Sequence, residues 1–273
     1  MLKKHLIPCT VILTLLIMAK VFAYTLPTVK TNLKNNNLTT IVKAPIEPAF
    51  TLAQLEFADE TFPAGDVKIE RKMKKILASY AYRNLQTNRL HRKATEWFPI
   101  IEPILAAYGI PNDFKYIPLV ESGLQGGTSP KGAAGFWQFM PSTARHYGLK
   151  VKGSVDERKN LRKSTIAACK YIKELHHIFG SWTLVAAAYN VGDVHMKRQI
   201  NRQNQANYFK MKLNRETGGY VYKLISMKEI MENPIRNGYK DQKAMIAYVR
   251  PELKSVSPDL KSVGPDLKSG LIE

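Results

Sequence analysis

The segment Trp182 to Tyr189 is apolar on nearly every side, and this constrains the fold more than any other stretch of the chain. A helix without a polar face has to be surrounded. Its neighbours must each present one apolar stripe, and the sequence supplies such stripes at helical spacing. Ile69, Met73, Ile76, Leu77 and Tyr80 form one. Ala168, Tyr171, Ile172, Leu175 and Phe179 form another across Ser164 to Phe179, ended by Gly180. Tyr220, Leu224, Met227 and Met231 form a last one, closed by Asn233-Pro234. Between them, Pro99 is expected to open a helix that Gly109 closes, and Asn112 or Asp113 to cap the next. Pro118 should kink or tighten that helix before a stop at Gly123. Pro141 suits the first position of a helix that stops at Gly148, and Ser181 caps the central one. No run of alternating strand residues occurs in this region, although a minor β-hairpin fits around Lys150 to Val155. The class is therefore all-α.

The helical region spans 67–240. Before it, residues 24–66 are rich in Thr, Asn and Pro with little periodicity and read as an irregular lead-in. Residues 1–23 read as a secretory signal peptide: Lys3 and Lys4, an apolar run from Leu6 to Met18, then Val21-Phe22-Ala23 as a small-residue cleavage site. An uncleaved membrane anchor is the rival reading, opposed by the shortness of the run and by Lys20. After the helices, 241–273 is a low-complexity repeat. Pro251-Glu252-Leu253-Lys254-Ser255-Val256-Ser257 recurs as Pro258-Asp259-Leu260-Lys261-Ser262-Val263-Gly264 and begins again at Pro265. A proline in every repeat excludes a coiled coil, so a disordered tail is expected.

Export leaves Cys169 as the mature chain's lone cysteine, so a core rather than a disulfide must hold the domain. The histidines are scattered, and no acidic cluster has ligand spacing, so neither a metal nor any other cofactor is implied. The 41 basic and 22 acidic residues give +19. Such a field favours anionic partners, or serves solubility alone. Export argues against nucleic acid and for an anionic wall or membrane surface. A monomer is expected.

The chemistry is concentrated in a few short segments. Leu119-Val120-Glu121-Ser122-Gly123 places one carboxylate at the end of an apolar run. Gly135-Phe136-Trp137-Gln138-Phe139-Met140-Pro141 and Ala188-Tyr189-Asn190 supply amides and rings that helices and turns can fold around it. A carboxyl group among apolar walls loses the solvation of its anion, so it keeps its proton to higher pH and can donate it. That is the material for general acid catalysis on a sugar.

In order and spacing, these segments resemble those of the lytic murein transglycosylases of glycoside hydrolase family 23, closest to the membrane-bound D-type subgroup. Gly109-Ile110-Pro111 through Tyr116-Ile117-Pro118-Leu119-Val120-Glu121-Ser122 is similar to the approach to that family's catalytic glutamate. Ser129 to Pro141, Val155 to Arg158 with Ser164-Thr165, Ala188 to Gly192, and Glu216-Thr217-Gly218-Gly219-Tyr220-Val221 are similar to its later motifs. The resemblance departs at Phe136, where Leu is commoner, and nothing after Tyr239 resembles the subgroup's LysM modules.

The resemblance implies a lysozyme-like fold of the goose-type and SLT kind. It also implies cleavage of the β-1,4 bond from N-acetylmuramic acid to N-acetylglucosamine in peptidoglycan glycan strands, in the periplasm or cell envelope of a bacterium. It assigns Glu121 as the catalytic acid. Ser129, Gln138, Met140, Tyr189, Asn190 and Tyr220 would contact substrate or shape its subsites, with Ser122 in support. Phe136, Trp137 and Phe139 are expected to pack rather than to stack on sugars, and Asp156, Glu157 and Arg158 to form a structural turn or ion pair. With no second acid expected within the matched site motifs, the sugar's own acetamido group and 6-hydroxyl would complete the reaction and leave a 1,6-anhydro end. The alternatives are a hydrolytic goose-type lysozyme and a non-catalytic wall-binding protein.

Overall fold

The computed structural model describes residues 50–85, 88–122 and 127–239. The expected signal segment, the lead-in before Phe50 and the repeat tail lie outside these residues.

Nine α-helices are described: α1 (Val67–Tyr80), α2 (Tyr82–Leu85), α3 (Arg89–Ala107), α4 (Ile117–Glu121), α5 (Pro141–His146), α6 (Leu161–Phe179), α7 (Trp182–Val191), α8 (Asp193–Gln203) and α9 (Arg215–Glu232). Two antiparallel pairs supply the strands among the described residues: β1 (Glu56–Phe57) with β2 (Glu60–Thr61), and β3 (Val151–Lys152) with β4 (Val155–Asp156). The all-α class is the one observed, and β3–β4 is the hairpin expected near Lys150.

Helix α7 is the centre. Thr183 through Ala188 are all buried, and the helix packs on α6, α8 and α9. Ser181 caps it as expected, its hydroxyl accepting from the Leu184 amide at 3.5 Å. Glu60, from the first hairpin, adds a carboxylate that accepts from the Trp182 and Thr183 amides. An anion at a helix N-terminus satisfies free amides and complements the helix dipole. Helix α9 is almost as enclosed and packs on α1, α4 and α7. Asp66 caps α1, Asn160 caps α6 and Asn214 caps α9.

Two features differ from the sequence reading. Helix α3 starts at Arg89 and runs through Pro99 and Pro103 instead of opening at Pro99. Both prolines face solvent, so the carbonyls they leave without a partner are not buried, while Ala94, Trp97, Phe98, Ile101 and Leu105 hold the opposite face in the core. Gly109, at φ 68°, does close the helix region.

The far end of the segment read as an irregular lead-in belongs to the folded domain. Leu55, Phe57, Ala58 and Phe62 are buried in the common core, and Phe57 meets Phe114 with ring centroids 5.2 Å apart. The first hairpin is tied down further by the Ala58 amide, which donates to the Asp113 carboxylate at 2.7 Å, and by Lys228, which pairs with both Asp113 and Glu56. This hairpin is too short for a two-residue period to be visible, which is why its sequence looked structureless.

Candidate active site

The chain reaches Glu121 through a tight construction. Residues Asn112–Tyr116 form a 3-10 turn that runs directly into α4, with Pro118 in the first helical turn. Phe114, Tyr116, Ile117 and Leu119 are buried and leave no freedom for the helix to roll. Glu121 therefore emerges at the C-terminal end of α4, against the core. Ser122, expected in support of Glu121, turns its hydroxyl back to donate to the Pro118 carbonyl at 2.6 Å and so closes the helix end.

Tyr220, fully buried on α9, donates its hydroxyl to Glu121 Oε1 at 2.5 Å. Burial pushes the Glu121 carboxyl above its ordinary value. The Tyr220 hydrogen bond works against that rise, the negative charge of Glu216 adds to it, and the positive charge of Lys223 opposes it. Burial and the Glu121 charge together hold the Tyr220 phenol well above its usual range, so it stays a donor. With Tyr220 donating to Oε1, a proton on the neutral carboxyl sits on Oε2, the oxygen left for a ligand.

The second motif is a loop held from three sides. Thr128 bridges Ala134, and Ala134 bridges Phe139, so the loop doubles back on itself. Ser129 closes one turn: its amide donates to the Ala133 carbonyl, and its hydroxyl accepts from the Ala133 amide. Gln138 has φ 48°, a region non-glycine residues seldom enter, and its side-chain amide donates to the Gly127 and Gly135 carbonyls. Trp137 is fully buried, with its ring N–H donating to Thr165, and Tyr189 from α7 donates to the Trp137 carbonyl at 2.8 Å. Trp137 and Phe139 thus pack, as expected from the sequence, and Phe136 lies edge-on to Trp97. Met140 is 42% exposed at the start of α5.

Arg158 is the clasp of this loop. Its guanidinium grips Asp156 through two nitrogens at 2.8 Å, and Nη1 donates to the Gly132 and Phe139 carbonyls. The expected ion pair is present, and it reaches across to organise the neighbouring motif. Gly135 passes so close to this residue that a Cβ there would lie 1.9 Å from the Arg158 carbonyl oxygen.

The structure thus joins Glu121 directly to Tyr220 and brings Tyr189 near enough for the Glu121 charge to raise its phenol. Asn190 is placed at the same end of α7, where its side-chain amide meets Glu216 at 3.5 Å. Among the described residues, no hydrogen bond links Ser129, Gln138 or Met140 to Glu121. Three groups near the site escaped the sequence reading: Glu216, Lys223 and Tyr80, whose hydroxyl bears electrostatically on Tyr220. Glu216 and Lys223 flank Tyr220 at positions i−4 and i+3, a spacing that places all three on one helical face. The expectation of no second acid in the site motifs is overturned by Glu216. It stands inside the last motif, one helical turn before Tyr220. Among the described residues, no cluster of three or more potential metal ligands occurs, and no helix is long and apolar enough to cross a membrane.

A partly buried glutamic acid held by a buried tyrosine, beside a loop clasped by Arg158, defines the site of this all-α domain. Residues 99–212 match the family model described as the Transglycosylase SLT domain. Over 137 residues the chain is 35% identical to membrane-bound lytic murein transglycosylase D of Escherichia coli K12, a match that covers 48% of this chain and 30% of that protein. The same figures hold for the protein of that name in Escherichia coli O6:H1. The chain thus spans about a third of the length of these curated relatives. Among solved structures, the lytic transglycosylase Slt of Pseudomonas aeruginosa aligns with a TM-score of 0.39 at 19% identity, over 51% of this chain and 24% of that one.

Proposed function

We propose that this chain is a lytic murein transglycosylase acting on peptidoglycan in the bacterial cell envelope, with Glu121 as general acid and then base. The single observation that carries this reading is the partly buried Glu121 carboxyl, raised above its ordinary value by burial and fixed at 2.5 Å by a buried tyrosine, in a chain that matches the SLT domain model. The names of the relatives support the substrate class and the envelope location.

In this reading, Oε2 of Glu121 gives its proton to the glycosidic oxygen as the bond from C1 of the muramic residue to that oxygen breaks. The acetamido group of the same sugar stabilises the electron-poor C1. Glu121, now a carboxylate still held by Tyr220, takes the proton of the 6-hydroxyl while O6 bonds to C1. The attack is intramolecular, so its high effective concentration removes the need for an activated water. Ser129, Gln138, Met140, Tyr189 and Asn190 line the path of the glycan. Gln138 and Tyr189 serve chiefly by fixing the loop that presents Ser129 and Met140, since their own polar atoms are engaged within it.

Hydrolysis by a goose-type lysozyme route is the second reading, and Glu216 favours it. A carboxylate on the Glu121 side of α9 is where a water-activating base would stand. Against this, Glu216 is exposed to solvent at the start of α9, and its carboxylate meets the Asn190 side-chain amide at 3.5 Å.

Glu121→Gln tests the catalytic assignment. The amide has the shape of the acid but no proton to give at the working pH, so turnover of purified peptidoglycan should fall by orders of magnitude while the protein stays folded. Turnover near the wild-type rate would remove Glu121 from the mechanism and leave a non-catalytic role for the site.

A further inference from the structure

Helix α1 carries opposite chemistry on its two sides. Ile69, Met73, Ile76 and Leu77 join the core and pack the helix on α9. The other side is basic: Lys68, Arg71, Lys72, Lys74 and Lys75 are all exposed. Lys68, Arg71 and Lys75 lie within about 60° of one another around the helix axis, at 3.6 residues per turn. Glu70 is the one acid of the helix, and it is engaged at the flank, accepting from the Gly65 amide at 2.9 Å and pairing with Lys74. Asp66, just ahead, caps the Lys68 and Ile69 amides. Among the described residues, no carboxylate pairs with Lys68, Arg71 or Lys75. The basic surface continues past the helix. Lys72 donates to the Gly218 carbonyl at 2.6 Å, and Leu213 approaches the same glycine. That brings the 210–215 turn beside α1, with Lys210, Lys212 and Arg215 exposed on it. Elsewhere the exposed cations are mixed with acids. On α6, Lys163 pairs with Glu157, and Glu174 follows Lys173; on α3, Lys93 pairs with Glu96.

From this placement we propose that the outer face of α1 and the adjoining 210–215 turn form a docking surface for an anionic phospholipid bilayer. Like charges four residues apart, Lys68 with Lys72 and Arg71 with Lys75, oppose helix formation. The stripe is therefore a cost to the fold, and an anionic partner relieves it. The shape of the face selects the partner. The outside of a helix is convex and does not enclose a single strand, whereas long basic side chains projecting from it reach a plane of phosphates together. Val67, 68% exposed at the start of α1, puts an apolar side chain at the rim of this face. A bilayer interface takes up such a group, while a charged polymer in water offers it nothing. The contact is peripheral: it uses exposed side chains of a helix whose inner stripe stays in the core. It does not involve Glu121, so it stands apart from the catalytic reading.

Co-sedimentation of the full chain with vesicles tests this, using phosphatidylcholine alone and phosphatidylcholine mixed with phosphatidylglycerol. The mixed vesicles should bind more tightly, and the difference should shrink as salt rises. The triple variant Lys68→Gln, Arg71→Gln, Lys75→Gln should lose at least about tenfold in affinity for the mixed vesicles, since each basic group at such a surface contributes about fivefold. Its melting temperature should not fall, because like-charge repulsion is removed. The charge-keeping triple Lys68→Arg, Arg71→Lys, Lys75→Arg should bind as the wild type does. Arg162→Gln, Lys170→Gln, Lys173→Gln removes the same net charge from exposed positions on α6 and should keep most of the affinity. Any binding through residues 1–23 is common to all variants and cancels in the comparison. Equal losses in the two glutamine triples would mean that overall charge, not this face, attracts the bilayer, and the proposal would fall. It would fall too if the α1 triple bound mixed vesicles as the wild type does. A loss seen only with soluble polyphosphate or purified peptidoglycan, with vesicle binding unchanged, would assign the face to a polymer instead.

Discussion

Gly135→Ala measures how much the second-motif loop depends on its contact with Arg158. Gly135 has φ 81°, where an L-residue costs about 1–2 kcal/mol relative to ordinary backbone. The added Cβ would also lie 1.9 Å from the Arg158 carbonyl oxygen, which is backbone and cannot rotate away. Restoring ordinary contact requires the two segments to separate by about 1.5 Å, enough to break or stretch a hydrogen bond. The bonds at risk run from Arg158 Nη1 to the Gly132 and Phe139 carbonyls at 2.8 and 3.0 Å. A hydrogen bond from a charged group contributes about 1.5–3 kcal/mol. Losing one in addition to the backbone cost gives a destabilisation of about 3–5 kcal/mol. In urea this should lower the unfolding midpoint by about 2 M at ordinary slopes. Gly132→Ala is the control: φ there is 88°, but no atom lies within 4 Å of the added carbon, so only the backbone cost of about 1–2 kcal/mol should appear. Equal losses in the two variants, or a loss below about 1 kcal/mol for Gly135→Ala, would refute the close packing of the loop on Arg158.

Glu121→Gln should stabilise the folded protein at neutral pH. The folded carboxyl holds its proton above the ordinary value of 4.5, so between that value and its raised one the native state binds more protons than the unfolded state. Wild-type stability therefore falls as pH rises through that window, and the glutamine variant escapes the fall. Denaturant melts should show the variant more stable at pH 7, with the advantage shrinking toward pH 4; a variant less stable than wild type at pH 7 contradicts the sign. Phe57→Ala should cost about 3–5 kcal/mol by leaving a cavity against Phe114. A thermal melt unchanged by this substitution would show that the first hairpin contributes nothing to the domain.

The helices were legible wherever one stripe faced a core. Trp182 to Tyr189 announced the central helix because a segment without a polar face has no place but the interior, and Pro141, Gly148, Ser181 and Gly180 marked ends through local backbone chemistry that the fold respects. Pro99 misled because a proline suits a first helical turn, where its missing amide has no partner to lose, but is not confined to it. On the solvent side of a long helix whose other face is buried, packing outweighs the lost bond. Phe57 and Phe62 were illegible because two-residue strands have no period. Glu121 was readable from its apolar approach, whereas Glu216 was not. Its part in the site depends on Tyr220 turning one face of α9 toward α4, a long-range contact between residues 99 positions apart. Arg158 was read as an ion pair with Asp156, and its second role, reaching back to Gly132 and Phe139, likewise needed the folded chain.

The reaction itself is tested by where the oxygen of the new end comes from. Purified peptidoglycan is digested in heavy-oxygen water and the muramic ends are weighed. If the 6-hydroxyl attacks C1, the ends carry no label and are lighter by one water than hydrolysed ends, and this is the predicted result. Labelled reducing ends as the main product would mean that water attacks C1; the lysozyme reading would then hold, with Glu216 the first candidate to activate that water.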